Sequence, residues 1–261
     1  MIIRVAYLCA FAVFSIAPIV VITIVSLTQA RVLTFPPKGL SLRWFKEIFV
    51  DDAWFTALTN STVIALSAAG LATILALPIS YFSWRYGLRF AKALAGLGLI
   101  PFILPPIILS LGLLLLFTSV GMHGLLINGI LAHTVYLIAL PIVVISLGFE
   151  NIEKSYLEAS ATMGASQREV FCTIILPLTI PYVVTAFAFC TVLSLNEYII
   201  MLMTVGFTYE TLPIKIFNAL RYGYSPVLAS IAVVFMGLNI LIFGLIALFA
   251  DLPRLLGAER R

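Results

Sequence analysis

Charge is the scarcest feature of this chain. Asp, Glu, Lys and Arg make up only 10% of its 261 residues, while 62% are hydrophobic. A soluble domain carries roughly 25% charged and about 45–50% apolar residues. The excess apolar surface has no single soluble core to occupy, so the bilayer must be the solvent for most of it. The net charge of +4 is spread along the chain. It reads as membrane orientation and excludes a nucleic-acid partner. There are three cysteines, Cys9, Cys172 and Cys190. Their spacing fits no metal pattern, and they read as inert buried thiols. No G-x-x-x-x-G-K-[ST] run occurs, so the chain has no ATP-binding loop of that kind. No Ser/His/Asp or metal-ligand cluster lies on one plausible face. The expectation is therefore no catalytic residue, no metal and no cofactor in this chain.

What is present is a series of long apolar runs. A spanning helix needs about 20 mostly apolar residues. Six segments qualify, at about 5–27, 56–83, 93–118, 125–149, 174–204 and 227–249. The second and fifth exceed the hydrocarbon thickness and should tilt or project from it. The first is about twice as long as the 7–15 apolar residues of a signal peptide. Arg4 gives it a basic flank, and Thr28-Gln29-Ala30 is a weak cleavage look-alike. Retention as a first helix is the better reading, because five further spans follow. Pro101, Pro105 and Pro106 should kink or break the third span near its middle.

Lys and Arg set the orientation. With the N-terminus inside, Arg4, Arg85, Arg89, Lys92, Lys154, Arg168, Arg254, Arg260 and Arg261 lie on the inner side. Arg31, Lys38, Arg43, Lys46, Lys215 and Arg221 lie outside, completing the fifteen Lys and Arg. Both termini are thus expected to be cytoplasmic. Two outer connections are substantial, at about 28–55 and 205–226. The first contains Phe35-Pro36-Pro37-Lys38-Gly39, a chain break. Ser41 can then cap a short amphipathic helix carrying Trp44, Phe45, Ile48 and Phe49, expected to lie along the outer interface. The second contains Tyr222 and Tyr224, which read either as interfacial belt residues or as contacts for an outer partner.

The most informative stretch is the inner loop, about 150–173. It is polar and helix-competent. Residues 154–163 read as a short helix, and Gly164 fits the left-handed position after a helix. Ser166-Gln167-Arg168-Glu169 matches a capping box that starts a second helix. Leu176-Pro177 marks entry into the fifth span. Ala159, Ser160 and Ala161 are small enough to let the first helix seat closely on another protein. Tyr156 and Met163 are its candidate apolar anchors. The competing reading is a helix that merely lies on the inner leaflet.

Glu197 is the only acidic side chain well inside an apolar span. A carboxylate there costs about 2.5–3.5 kcal/mol, so it must face water, a partner or a subunit interface. It reads as a pathway residue that attracts a cation or gates. The alternative is a carboxylate bonded to neighbouring hydroxyls or to a partner subunit. Asn196 would point about 100° away on an intact helix, so both line one path only if the helix is distorted there. His133, near the start of the fourth span, reads as a hydrogen-bonded structural group.

The spacing Glu158-Ala159-Ser160, three residues, Gly164, nine residues, Ile174, one residue, Leu176-Pro177 resembles the cytoplasmic signature of permease subunits of ATP-binding-cassette importers. Further stretches resemble the spermidine/putrescine permease group, and its second, shorter permease subunit in particular. They are Asn60-Ser61, His133-Thr134-Val135 ahead of Leu140-Pro141, Ser194-Leu195-Asn196-Glu197, and Tyr209-Glu210-Thr211-Leu212-Pro213-Ile214-Lys215-Ile216. The similarity covers nearly the whole chain. It departs at Ser160, where the family usually has Ala, and at Asn196, where polyamine permeases usually carry Asp.

The resemblance implies one all-α transmembrane domain over 1–261 with the type I importer fold, six helices and a coupling helix between the fourth and fifth. It implies a bacterial inner-membrane subunit forming half of the pathway for a small cationic or amine-bearing solute such as a polyamine. The implied partners are a second permease subunit, two ATPase subunits that bind ATP and magnesium, a periplasmic binding protein and membrane lipid. Glu158, Ala159, Ser160, Met163, Gly164, Ile174, Leu176 and Pro177 would then couple to the ATPase. Asn196, Glu197 and Tyr224 would serve the solute pathway. The rival is a stand-alone ion-coupled carrier or channel. Such carriers often have repeated halves and paired broken spans, and no convincing repeat occurs here.

Overall fold

A computed structural model describes residues 2–222 and 225–249. Tyr224 and the basic residues Arg254, Arg260 and Arg261 lie outside the described residues. Thirteen α-helices follow one another among these residues: α1 (Ile2–Ser26), α2 (Arg43–Val50), α3 (Asp52–Tyr86), α4 (Arg89–Ile103), α5 (Pro106–Ser119), α6 (Leu126–Leu137), α7 (Ala139–Glu150), α8 (Lys154–Thr162), α9 (Gln167–Val170), α10 (Leu176–Asn196), α11 (Ile199–Thr204), α12 (Leu212–Tyr222) and α13 (Pro226–Phe249). A π-helical turn, Phe171–Ile175, joins α9 to α10.

Among the described residues, four helical runs are long and apolar enough to cross a membrane, or up to six if each of two bent pairs is one span. Proline chemistry accounts for both bends. Between α4 and α5 the axis turns by 111°. Leu104 and Pro105 are extended there. Proline disfavours helical geometry in the residue before it, and Pro106 opens α5, where a missing N–H is harmless. This is the interruption expected from Pro101, Pro105 and Pro106, although Pro101 sits inside α4 without ending it. Between α6 and α7 the bend is 46°, within the single segment expected at about 125–149. Pro141 has no N–H for the Leu137 carbonyl four residues back. The Cys190 thiol of α10 donates to that carbonyl instead, at 3.7 Å. Of the three cysteines read as buried, only Cys190 is; Cys9 and Cys172 are exposed at the surface of the chain.

The fifth apolar segment also differs from its expected limits. Its helix starts earlier, at Gln167, and stops at Asn196 rather than near residue 204. The remainder forms the separate α11. The second segment is longer than expected at both ends. Asp51 caps it, its Oδ1 accepting from the N–H groups of Ala53 and Trp54 at 2.8 and 3.3 Å, and left-handed Gly87 closes it.

Small residues bring the spans together. Ala65, Ala68, Ala69, Ala72 and Ala76 form a buried stripe on α3, which packs against α6, α7 and α10. In lipid, close packing of this kind replaces the hydrophobic drive that water would supply. Gly148 of α7 meets Tyr182 of α10 so closely that a Cβ would lie 2.7 Å from the ring.

The end of the bundle beside α8 is closed by a core of Ala76, Ile142, Ile145, Phe149, Ile152, Val170, Ile175 and Ala186, with Leu157 and Ala165 packed on it. Trp84 stacks on Phe149 there at 5.4 Å. At the far end, α2 does more than lie along an interface. Its Trp44 and Ile48 are buried with Ala57, Leu212, Val227 and Ile231, and the Trp44 indole N–H donates to the Thr28 carbonyl at 2.8 Å. Ser41 does not cap α2 as expected: the N-cap position is Leu42, which has no side-chain cap bond, and Ser41 Oγ, one residue earlier, accepts only from the Arg43 N–H at 3.2 Å. Helix α1 packs against α13 and otherwise exposes large apolar side chains such as Tyr7, Phe11 and Phe14.

Candidate functional site

The α8 loop has the geometry its sequence specifies. The Gly164 N–H donates to the Ala161 carbonyl and the Ala165 N–H to the Ser160 carbonyl, at 3.1 and 3.0 Å. That pair of bonds is a Schellman ending, with Gly164 at φ 74°. The capping box follows at once. Ser166 Oγ accepts from the Glu169 N–H at 3.3 Å, and the Ser166 N–H donates to Glu169 Oε2 at 2.7 Å. Two helices thus meet at a turn whose backbone groups are paired on both sides.

The faces of α8 are unequal. Ser160 is buried, its hydroxyl donating to the Leu157 carbonyl at 2.8 Å. Its small size serves packing within the chain. Glu158 and Ala159 are exposed. Tyr156 is 49% and Met163 86% exposed, so the two apolar anchors stand free of the chain's own core. Glu158 also borders a cavity of about 370 Å³ together with Trp84, Arg85, Glu150, Lys154 and Leu157. Ile174 packs on the core beneath the loop. Leu176 is half-buried, and Pro177 is exposed within the first turn of α10.

A substitution at Gly164 isolates the turn. A Cβ there would meet no atom within 4 Å, so the penalty comes from the dihedral alone, about 1–2 kcal/mol and more for a β-branched residue. Gly164→Val is expected to lower the yield of folded protein purified from membranes, while Gly164→Asn, which tolerates this conformation, keeps it. Equal yields would remove the turn from the account.

In the middle of the bundle, α10 ends at Asn196, and Glu197 is extended. The Glu197 side chain turns back and caps α11. Ile200 N–H donates to its oxygens at 2.9 and 3.0 Å, and Met201 N–H at 3.2 Å. His133 Nε2 lies 3.2 Å from Glu197 Oε2, and His133 Nδ1 lies 2.6 Å from Ser194 Oγ. With the imidazole proton on Nε2, that N–H donates to the carboxylate and Nδ1 accepts from the Ser194 hydroxyl. His133 is 1% exposed and the Glu197 side chain 9%. Asn196 faces the other way. It is exposed, and its Nδ2 donates to the Val192 carbonyl at 2.7 Å and to Asn239 Oδ1 of α13 at 3.4 Å. The helix is thus interrupted where Asn196 and Glu197 adjoin, but the two side chains point to opposite sides of the break.

The remaining quoted stretches also pair. Asn60 Nδ2 donates to the Glu210 carbonyl at 3.0 Å, and the Leu212 N–H donates to Ser61 Oγ at 2.7 Å. Glu210 takes Lys215 and Asn218, each at 3.1 Å. Asn60-Ser61 therefore holds the 209–216 segment, as His133 holds 194–197. Sequence reasoning missed these pairings and missed Asn239. The signal available for Asn239 was a lone amide in a long apolar helix. Among the described residues, no three His, Cys, Asp or Glu side chains assemble as metal ligands.

The described residues form a helical bundle with two bent candidate spans and a polar helical loop. Residues 75–254 match the family of binding-protein-dependent transport system inner membrane components, and the chain belongs to that family. The Haemophilus influenzae spermidine/putrescine transport system permease protein PotC is 30% identical over 203 residues, 78% of this chain and 79% of the relative. The Escherichia coli putrescine transport system permease protein PotI is 30% identical over 232 residues, 86% of this chain and 82% of the relative. In fold, the chain is similar to one from inward-facing MetNI methionine ABC transporter, with a TM-score of 0.60, 19% identity and coverage of 78% of this chain and 95% of the other. It is also similar to one from a bacterial alginate importer, with a TM-score of 0.66, 13% identity and coverage of 97% and 95%. The protein is a multi-pass membrane component of a binding-protein-dependent transport system, and not an enzyme.

Proposed function

We propose that this subunit forms half of the pathway for a polyamine or a similar small amine-bearing solute, as a single transmembrane domain. A second permease subunit, of a different sequence, completes the pathway. The α8 end faces the cytoplasm with both termini, in keeping with Arg85, Arg89 and Lys92 in the short loop on that side. The opposite end, with α2 and α12, faces the periplasm and receives solute from a binding protein. Two ATPase subunits bind ATP and magnesium and dock on α8. Glu158, Ala159, Tyr156 and Met163 make the contact, while Ser160, Gly164, Ile174, Leu176 and Pro177 hold the helix in place and pass its movement to α10.

The solute class rests on one observation: 30% identity to polyamine permeases over most of the chain. The test is uptake of radiolabelled putrescine by cells with and without the gene for this subunit, the other components being kept. Loss of ATP-dependent uptake on deletion, and its return on complementation, is the expected result. Unchanged uptake would refute the solute assignment.

A further inference from the structure

The importer's solute path needs polar contacts inside the bilayer, and the side chain that first suggests itself, Glu197, is committed elsewhere. Its oxygens face His133 and the backbone of α11. The amides of Asn196 and Asn239 are differently placed. They belong to α10 and α13, two helices in contact, and approach to 3.4 Å on an exposed face. Each Nδ2 is anchored to a carbonyl of its own helix at 2.7 Å, Asn196 to Val192 and Asn239 to Phe235. The side chains are therefore fixed, and among the described residues no protein donor reaches Asn196 Oδ1.

The depth is also set by the fold. Asn239 lies 13 residues into α13, about 20 Å from its start at 1.5 Å per residue. Against a hydrocarbon core of about 30 Å, that is well inside the membrane. Polar groups at that depth in a bundle face a cavity, a partner or one another. Because α10 stops at Asn196, the carbonyls of its last turn lack their usual partner four residues on, that of Ser194 taking the Glu197 N–H at 3.3 Å instead. Along the same two helices, Phe189 and Phe243 meet at 5.5 Å, so an aromatic contact adjoins the amide pair on its α8 side.

Resting on the function proposed above, we infer that Asn196 and Asn239 form a neutral transit subsite for protonated amine groups. Amide oxygens accept N–H bonds from an ammonium group without pairing its charge. A conducting site must bind well enough to admit the solute and weakly enough to release it. A carboxylate, which polyamine permeases usually carry at the Asn196 position, would bind the ammonium more tightly and release it more slowly, so the amide trades affinity for release at this point. Glu197 acts as a positioning residue: with His133 and Ser194, it fixes the break that turns Asn196 outward.

The test uses the assembled importer with the exposed Cys9 and Cys172 replaced by alanine and the buried Cys190 kept. Asn196→Cys and Asn239→Cys are then exposed to a charged, membrane-impermeant thiol reagent, with and without putrescine. Labelling of both positions, slowed by putrescine, is the expected result. In the native background, Asn239→Leu should raise the putrescine KM about tenfold, the loss of one hydrogen bond. Asn239→Asp should lower both the KM and the maximal rate. Failure to label either position in any nucleotide state would place the pair against lipid or the second permease and overturn the subsite. Labelling without protection, in an importer that does not take up putrescine, would refute the proposed solute while leaving the pair on a water-filled path.

Discussion

Glu197→Ala is expected to abolish uptake and to reduce the amount of assembled complex, while Glu197→Gln retains most of both. Alanine leaves the N–H groups of Ile200 and Met201 and the His133 Nε2 without their acceptor. A buried donor left unpaired costs about 1–3 kcal/mol, so the three together rival the net stability of an ordinary domain. Glutamine keeps a carbonyl oxygen for the backbone groups. Its NH₂ then faces His133, whose proton can move to Nδ1 and donate to Ser194 Oγ, so the network survives with its directions reversed. Thermal denaturation of the purified complex and putrescine uptake, measured side by side, check the contrast. Wild-type stability and uptake in the alanine variant would remove the cap from the account. Equal damage in both variants would show that the charge of Glu197 matters and not its bonds to α11.

The second large effect is expected at Glu158. Charge reversal by Glu158→Lys should leave the chain in the membrane and ATP hydrolysis running, but lower uptake by roughly tenfold or more, since a partner surface complementary to the carboxylate would repel the ammonium. Part of the effect arises within the chain. The new ammonium would sit one helical turn from Lys154, an unfavourable spacing for like charges, and beside Arg85 on the same cavity wall. Glu158→Gln separates the two contributions, since it removes the carboxylate without adding a cation. Normal uptake by the lysine variant, at a normal ratio of ATP hydrolysed, would rule out coupling through this face.

The loop was legible because its signals are local. Glycine at positive φ, serine three residues before glutamate, and proline in the first turn of a span each act over fewer than six residues. The apolar spans were legible for the same reason. What the sequence left hidden depends on contacts between distant segments. The bend at Ile138 follows from Pro141, but its accommodation needs Cys190, 49 residues further on. Glu197 stood out as a lone acid. That it caps α11 and holds His133 is a matter of how α6 and α10 pack, and neither hydropathy nor spacing carries that. The quoted stretches around Asn60, His133, Ser194 and Tyr209 were visible one by one, and only the fold joins them two by two. Trp44 and Ile48 read as interfacial because amphipathicity does not say which surface an apolar face covers.

The most direct measurement concerns whether α8 carries movement from the ATPase into the bundle. Met163, the 86% exposed residue that ends α8, is replaced by cysteine, and a matching cysteine is scanned along the ATPase surface in the assembled importer. The account predicts that a Met163→Cys disulfide with the ATPase forms readily, varies in yield with nucleotide state, and blocks uptake until it is reduced. An importer that transports putrescine normally while Met163→Cys crosslinks to no ATPase position in any nucleotide state would contradict it.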